Sequence, residues 1–229
     1  MPKANASLIA ITLGAAFMFR WLASVVLIVL AGSCAATADT NDNPFQVLNS
    51  PYMRPYGRTD APYAFIEFCV RMPEECKAGT GKHSRVAGTA AQLFELDLVN
   101  RKVNREIEPA TDMELYGVED YWTIPITKGD CEDYALLKRQ ILIRAGWPVG
   151  ALLMTVVLDE QGEGHAVLTA RTEAGDYILD NKVNVLKVWH QTPYKFVMRQ
   201  SYINPEIWLS LDPERAAASG PVAAPRPPR

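Results

Sequence analysis

Apolar residues return every three or four positions in two stretches of the chain. Leu93, Leu96, Val99, Val103 and Ile107 form one stripe, which predicts a helix capped by Thr89 and closed by Pro109. Tyr134, Leu137, Ile141 and Ala145 form a second, with Lys138, Arg139 and Arg144 on the other side. This second helix runs from about Cys131 to Ala145, with Asp130 suited to cap it and Asp133 to close a weak capping box. Gly146 and Pro148 supply its stop.

Elsewhere the pattern is that of strands. Val149 to Leu158 is a continuous, β-branched apolar run, the mark of a buried strand. Turn residues 159–164 follow it. His165 to Thr172 is the next strand, Glu173-Ala174-Gly175 a tight turn, and Asp176 to Asp180 a third strand ended by Asn181-Lys182. Short turns make this an antiparallel meander, to which Tyr194 to Met198 adds another strand. Tyr63, Phe65 and Ile66 predict a first strand over Pro62 to Val70. The fold class is α+β. Residues 39–61 carry Pro44, Pro51, Pro55 and Gly57 and predict an extended lead-in. Residues 78–88 are a polar loop with a solvated His83. Thr111 to Lys128 has aromatics (Tyr116, Tyr121, Trp122) but no period.

The two ends stand apart from this domain, residues 62–211. Leu8 to Gly32 is apolar except for Arg20, and Ala36-Thr37-Ala38 offers a small-x-small cleavage site, so residues 1–38 read as a signal peptide. Met18 serves equally well as the start. An uncleaved anchor is disfavoured because the run after Arg20 is short for a membrane span, and a lipid anchor at Cys34 because Ala31 stands where leucine is usual. The Pro/Ala-rich end, residues 212–229, predicts a disordered tail.

Composition changes the picture in two ways. A net charge of −3 with no basic patch excludes nucleic acid as a natural partner. Export places the cysteines in an oxidising compartment. Cleavage removes Cys34 and leaves Cys69, Cys76 and Cys131. A turn at Met72-Pro73 lets Cys69 and Cys76 pair, which leaves Cys131 as an odd thiol. Cys131 sits in the first turn of its helix, where free N–H groups and the helix dipole favour a thiolate. Such a nucleophile needs a base, and the base needs an orienting acceptor. Pairing of the second and third strands around residues 173–175 makes His165 and Asp180 near cross-strand partners. Cys131, His165 and Asp180 are therefore the candidate triad. Asn100 and Asn104, one turn apart, are either surface amides or partners for the backbone that follows. Trp122 is a core indole, a cleft wall or a second oxyanion donor.

Gly129-Asp130-Cys131-Glu132-Asp133-Tyr134-Ala135, with Gly164-His165-Ala166-Val167 and Tyr177-Ile178-Leu179-Asp180-Asn181, resembles the bacterial transglutaminase-like cysteine proteinases. Val99-Asn100, Val103-Asn104 and Asp120-Tyr121-Trp122-Thr123-Ile124-Pro125 are similar to that family as well. The resemblance implies a papain/transglutaminase-like core, with the cysteine helix packed on an antiparallel sheet bearing His and Asp. The family's best-understood members, periplasmic proteases of the LapG type, release large surface adhesins by cutting at a paired-alanine site. An inner-membrane cyclic-di-GMP receptor restrains them. The resemblance thus implies a protein substrate, a possible adhesin, and such a receptor as partner. It also implies calcium at Asp130 and Glu132. Asp133 is a further candidate ligand, since three acids beside a thiolate oppose its charge; simple helix capping is the alternative. A transglutaminase or amidase with the same triad, and a catalytically silent envelope-binding module, are the competing functions.

Overall fold

A computed structural model describes residues 50–79 and 85–218. The expected signal peptide, Cys34, His83 and residues 219–229 lie outside them. The main sheet is antiparallel throughout, in the order β1-β9-β8-β4-β5-β6-β7. Its strands are β1 Gly57–Thr59, β4 Leu152–Leu158, β5 Gly164–Thr172, β6 Gly175–Leu179, β7 Lys187–Val188, β8 Lys195–Gln200 and β9 Trp208–Ser210. A separate parallel pair joins β2 Glu108–Pro109 to β3 Lys128–Gly129.

The expected helices form. Helix α2, Ala90–Glu106, opens on a full capping box between Thr89 and Gln92 and buries Leu96, Val99 and Val103. Helix α4, Cys131–Arg144, packs on β4, β5 and α2. One core fills the space between helices and sheet, and a smaller one of Met53, Val157, Val167, Ile178 and Phe196 lies apart from it. Two cores explain why β4 reads as an unbroken apolar run: it contributes side chains to both.

Four expectations change. Residues 62–70 are not a strand: Tyr63–Arg71 is helix α1. Ala64, Phe65 and Phe68 are buried at helical spacing, while Tyr63, Ile66 and Val70 are exposed, so apolar residues on both faces mask the period. Within the unpatterned stretch after Pro109, Asp112–Tyr116 forms helix α3 on a capping box between Thr111 and Glu114. The tail does not begin at 212, because Pro213–Ala218 forms helix α5, with the Asp212 carboxylate accepting from Glu214 N at 3.0 Å. Asp130 occupies the N-cap position of α4, but its side chain makes no capping bond.

The cysteine pairing stands: Cys69 and Cys76 form a disulfide that ties the end of α1 to the turn Pro73–Cys76, and Cys131 is free. Phe65, Trp122 and Trp208 meet edge to face at centroid distances of 5.3–6.2 Å and join α1, the 110–127 loop and β9. No helix among the described residues is long and apolar enough to cross a membrane.

Candidate active site

Cys131 is the first residue of α4, and α4 lies along β5. That packing sets its Sγ 3.4 Å from the backbone N–H of Ala166, the residue after His165. The thiol also donates to Glu132 Oε2 at 3.1 Å. Gly129, two residues before Cys131, has no room for a side chain: a Cβ there would lie 2.5 Å from the Asp133 carboxylate.

His165 is the second residue of β5 and is buried. Its Nε2 lies 3.0 Å from Asp180 Oδ1. Against an ionised carboxylate Nε2 is the donor, which leaves the lone pair on Nδ1. The observed register is Thr172 with Gly175 and Leu168 with Leu179, so Asp180, one residue past β6, reaches His165 diagonally. Asp180 is held on every side. Tyr194 Oη donates to its Oδ2 at 2.5 Å, and Lys182 N to its Oδ1 at 2.9 Å. Burial pushes the carboxyl up, but the bonds from His165, Tyr194 and Lys182 outweigh it and hold it below the usual range. The ring of Tyr194 also stands edge-on to His165, 5.5 Å between centroids.

The loop after Asp180 is anchored from α2. Asn104 Nδ2 donates to Asp180 O at 2.9 Å, and Asn100 Nδ2 to Val183 O and Asn184 O at 3.1 Å each. These amides serve a segment about 80 residues downstream, not the one that follows them. Tyr194 has no signal in the spacing: it reaches the site only through the chain's return before β8.

The acids at the start of α4 divide into two groups. Carboxylate oxygens of Asp112, Asp130 and Glu132 lie within 4.8 Å of one another. Asp133 is not in this cluster; its Oδ1 accepts from Thr123 N at 2.8 Å and so fixes the 110–127 loop. Asp112, from α3, takes the third place, and Tyr121 N donates to its other side through Oδ2. Sequence offered no pointer to Asp112 beyond its capping sequence. Buried Oδ1 atoms of Asp112 and Asp130 have no hydrogen-bond partner. Burial, with the Asp130 charge next, pushes Glu132 far up. Burial and then the Glu132 charge push the Cys131 thiol well above its ordinary range. Burial and these charges together favour a protonated thiol; the all-carboxylate oxygens suit a hard divalent cation, which would offset the negative charge.

Cys131 and His165 face two hollows. One, of about 470 Å³, is lined by Ala61, Pro62, Trp122, Val156, Ala166 and Met198 among others. The other, of about 340 Å³, is polar-rimmed, with Glu114, Asp159, Glu163 and Lys182. Trp122 is a core indole and a cleft wall at once. Its N–H is committed to Asp120 Oδ1 at 2.9 Å and is not an oxyanion donor. His190 lies apart, in the turn Trp189–Gln191.

Comparison with curated proteins gives no match. Among solved structures, EGTA-treated LapG of Legionella pneumophila is 27% identical at a TM-score of 0.44, over 54% of this chain and 69% of that one. Calcium-bound LapG of the same organism is 24% identical at a TM-score of 0.44, over 63% of this chain and 87% of that one. The model of the bacterial transglutaminase-like cysteine proteinases matches residues 55–216, most of the chain and all of the site. The chain belongs to the family of bacterial transglutaminase-like cysteine proteinases.

Proposed function

We propose that the protein is an exported cysteine endopeptidase of the cell envelope, acting through Cys131, His165 and Asp180. The observation that supports this is a bonded His165–Asp180 pair placed next to Cys131 in the cleft. Ala166 N meets Cys131 Sγ at 3.4 Å, and the neighbouring His165 bonds Asp180 at 3.0 Å. In the reaction, His165 Nδ1 takes the thiol proton and the thiolate attacks the peptide carbonyl. The Cys131 N–H, at the helix start, supports the oxyanion. The imidazolium then gives its proton to the leaving amine, and water, deprotonated by His165, releases the acyl group. Asp180 and Tyr194 keep the ring oriented throughout.

Asp112, Asp130 and Glu132 would hold calcium, which would offset the negative charge that opposes a thiolate at Cys131. Two buried oxygens without partners and an all-carboxylate donor set support a hard cation over zinc. The sequence motifs support export to the periplasm, a large surface adhesin as substrate and an inner-membrane cyclic-di-GMP receptor as regulator.

Mature protein incubated with peptides carrying paired alanines, with calcium, tests the reading by mass spectrometry. Cys131→Ala and His165→Ala should each abolish cleavage without lowering the melting temperature much. A primary amine in the mixture separates hydrolysis from transfer. Amine-capped products would make the enzyme a transferase, and full cleavage by His165→Ala would sink the triad.

A further inference from the structure

Asp159 follows β4 directly and opens the turn that leads into β5 and His165. It is buried, and its two oxygens have different partners. Oδ1 accepts from Gln161 N at 3.0 Å and from Glu163 N at 2.9 Å, which closes the turn. Oδ2 accepts from Lys182 Nζ at 2.7 Å, 23 residues further along the chain. A fully exposed ion pair contributes little. Here the acid side chain is only 2% exposed, so loss of the ammonium leaves Oδ2 shielded from water and unpaired. The Lys182 ammonium holds the Asp159 carboxyl below its ordinary range, and Asp159 in turn raises Lys182.

Lys182 also touches the candidate triad. Its backbone N–H donates to Asp180 Oδ1 at 2.9 Å, the same oxygen that lies 3.0 Å from His165 Nε2. One residue therefore joins Asp159 to the oxygen that receives the imidazole. Strand pairing does not set this distance. The β5–β6 ladder ends at Leu168 with Leu179, and towards His165 β5 continues paired with β4. His165 and Asp180 face each other where their own ladder has stopped, so side chains must fix the gap between the two segments.

We propose that Asp159 is a positioning residue for the His165–Asp180 pair, acting through Lys182: their ion pair ties the loop after Asp180 to the turn before His165 and so keeps Asp180 Oδ1 within bonding reach of the imidazole. This rests on the reading of His165 as base and Asp180 as its orienting acid. Without the tie the loop can swing, Lys182 N leaves Oδ1, and the carboxylate turns away from Nε2. The imidazole then loses the bond that fixes its tautomer. Asp159 and Lys182 also line the hollow of about 340 Å³ beside Cys131, so a role in binding substrate has to be told apart. Lost binding raises KM, and lost positioning lowers kcat.

The test uses the full-length mature protein. Asp159→Asn keeps an oxygen for the turn amides and sets a donor against the ammonium. Lys182→Met keeps the backbone N–H and removes the ammonium. The first readout needs no substrate. It is the proton NMR signal of His165 Nε2–H in a Cys131→Ala background, assigned by its loss in His165→Ala. Both variants should move this signal upfield and speed its exchange with water, and Lys182→Arg should recover it. Charges acting directly on the ring would move it in opposite directions, since one variant removes an anion and the other a cation. Opposite shifts, or an unchanged signal in folded Asp159→Asn, overturn the proposal.

The second readout is turnover of a paired-alanine peptide by the Cys131 protein. Each variant should lower kcat about ten-fold at constant KM, and the double variant should lose no more than the worse single one. Losses that multiply in the double variant mean that the two residues act apart, and overturn the proposal. Turnover in His165→Ala, with Asp159 and Lys182 intact, decides the triad reading separately. A peptide left whole by wild type fails the substrate reading, and the NMR comparison still decides this one.

Discussion

The burial of Lys138 on α4 makes stability depend on pH in a defined window. The unfolded chain keeps its proton up to the ordinary value of 10.5, the folded chain only to about 7. Between these values the unfolded state holds more protons, so the free energy of unfolding rises with pH there. Below about pH 7 both states are protonated and the contribution to the slope vanishes. Calorimetry from pH 6 to 10 should therefore show wild type gaining melting temperature relative to Lys138→Met as pH rises. Parallel curves would mean that the ammonium is hydrated in the fold. At this scale the site was partly legible. Cys131, His165 and Asp180 carry side chains that the chemistry demands, at places that helix and hairpin periodicity define. Tyr194 and Asp112 carry no such mark, because their roles come from distant segments brought together: Tyr194 meets Asp180 across 14 residues, and Asp112 meets the start of α4.

Among the elements, α1 shows how a helix passes for a strand. Phe65 and Phe68 face the core while Ile66 and Val70 face outward, and aromatic and β-branched residues raise strand propensity where tertiary burial chooses helix. The disulfide at its end was legible, since the turn at Met72-Pro73 and the export expected from residues 1–38 both point to it. Its consequence for α4 was not. The bridged turn presents Glu75 to the far side of α4, where Glu75 O accepts from Arg139 Nη1 at 2.9 Å and Glu75 Oε1 from Gln140 Nε2 at 2.5 Å. The double substitution Cys69→Ser/Cys76→Ser should cost about 2–3 kcal/mol through a freer unfolded chain. Thermal melts read the loss. A melting temperature equal to wild type would show that the bridge constrains nothing that unfolding releases.

For the whole molecule, the local half of the architecture was legible and the distant half was not. The β4–β5–β6 meander follows from short turns, and its register departs from the expected pairing by only one residue along each strand. The pairing of β1 with β9, which sets residues 57–59 against 208–210, leaves no trace in either segment. Both are three residues long, and only the assembled sheet gives them partners. The same holds for the Phe65–Trp122–Trp208 cluster, whose members are spread over three parts of the chain.

The parallel pair β2–β3 closes residues 110–127 at the base with only two residue pairs, helped by Glu108 N bonding Thr127 O at 2.8 Å and Ala110 N bonding Gly129 O at 3.0 Å. Trp122 roots the far part in the core, so the arc from Thr111 to Tyr121 is fastened at both feet and bears Asp112 at its near end. A cation shared by Asp112 with Asp130 and Glu132 would then act as a hasp across that arc, and its removal would loosen the arc without unfolding the sheet. Hydrogen exchange followed by mass spectrometry should show this. Chelation should speed exchange at the amides of Leu115, Gly117 and Tyr121, and leave those of β4 and β5 protected. Equal acceleration in arc and sheet would mean that the arc opens only when the whole domain does.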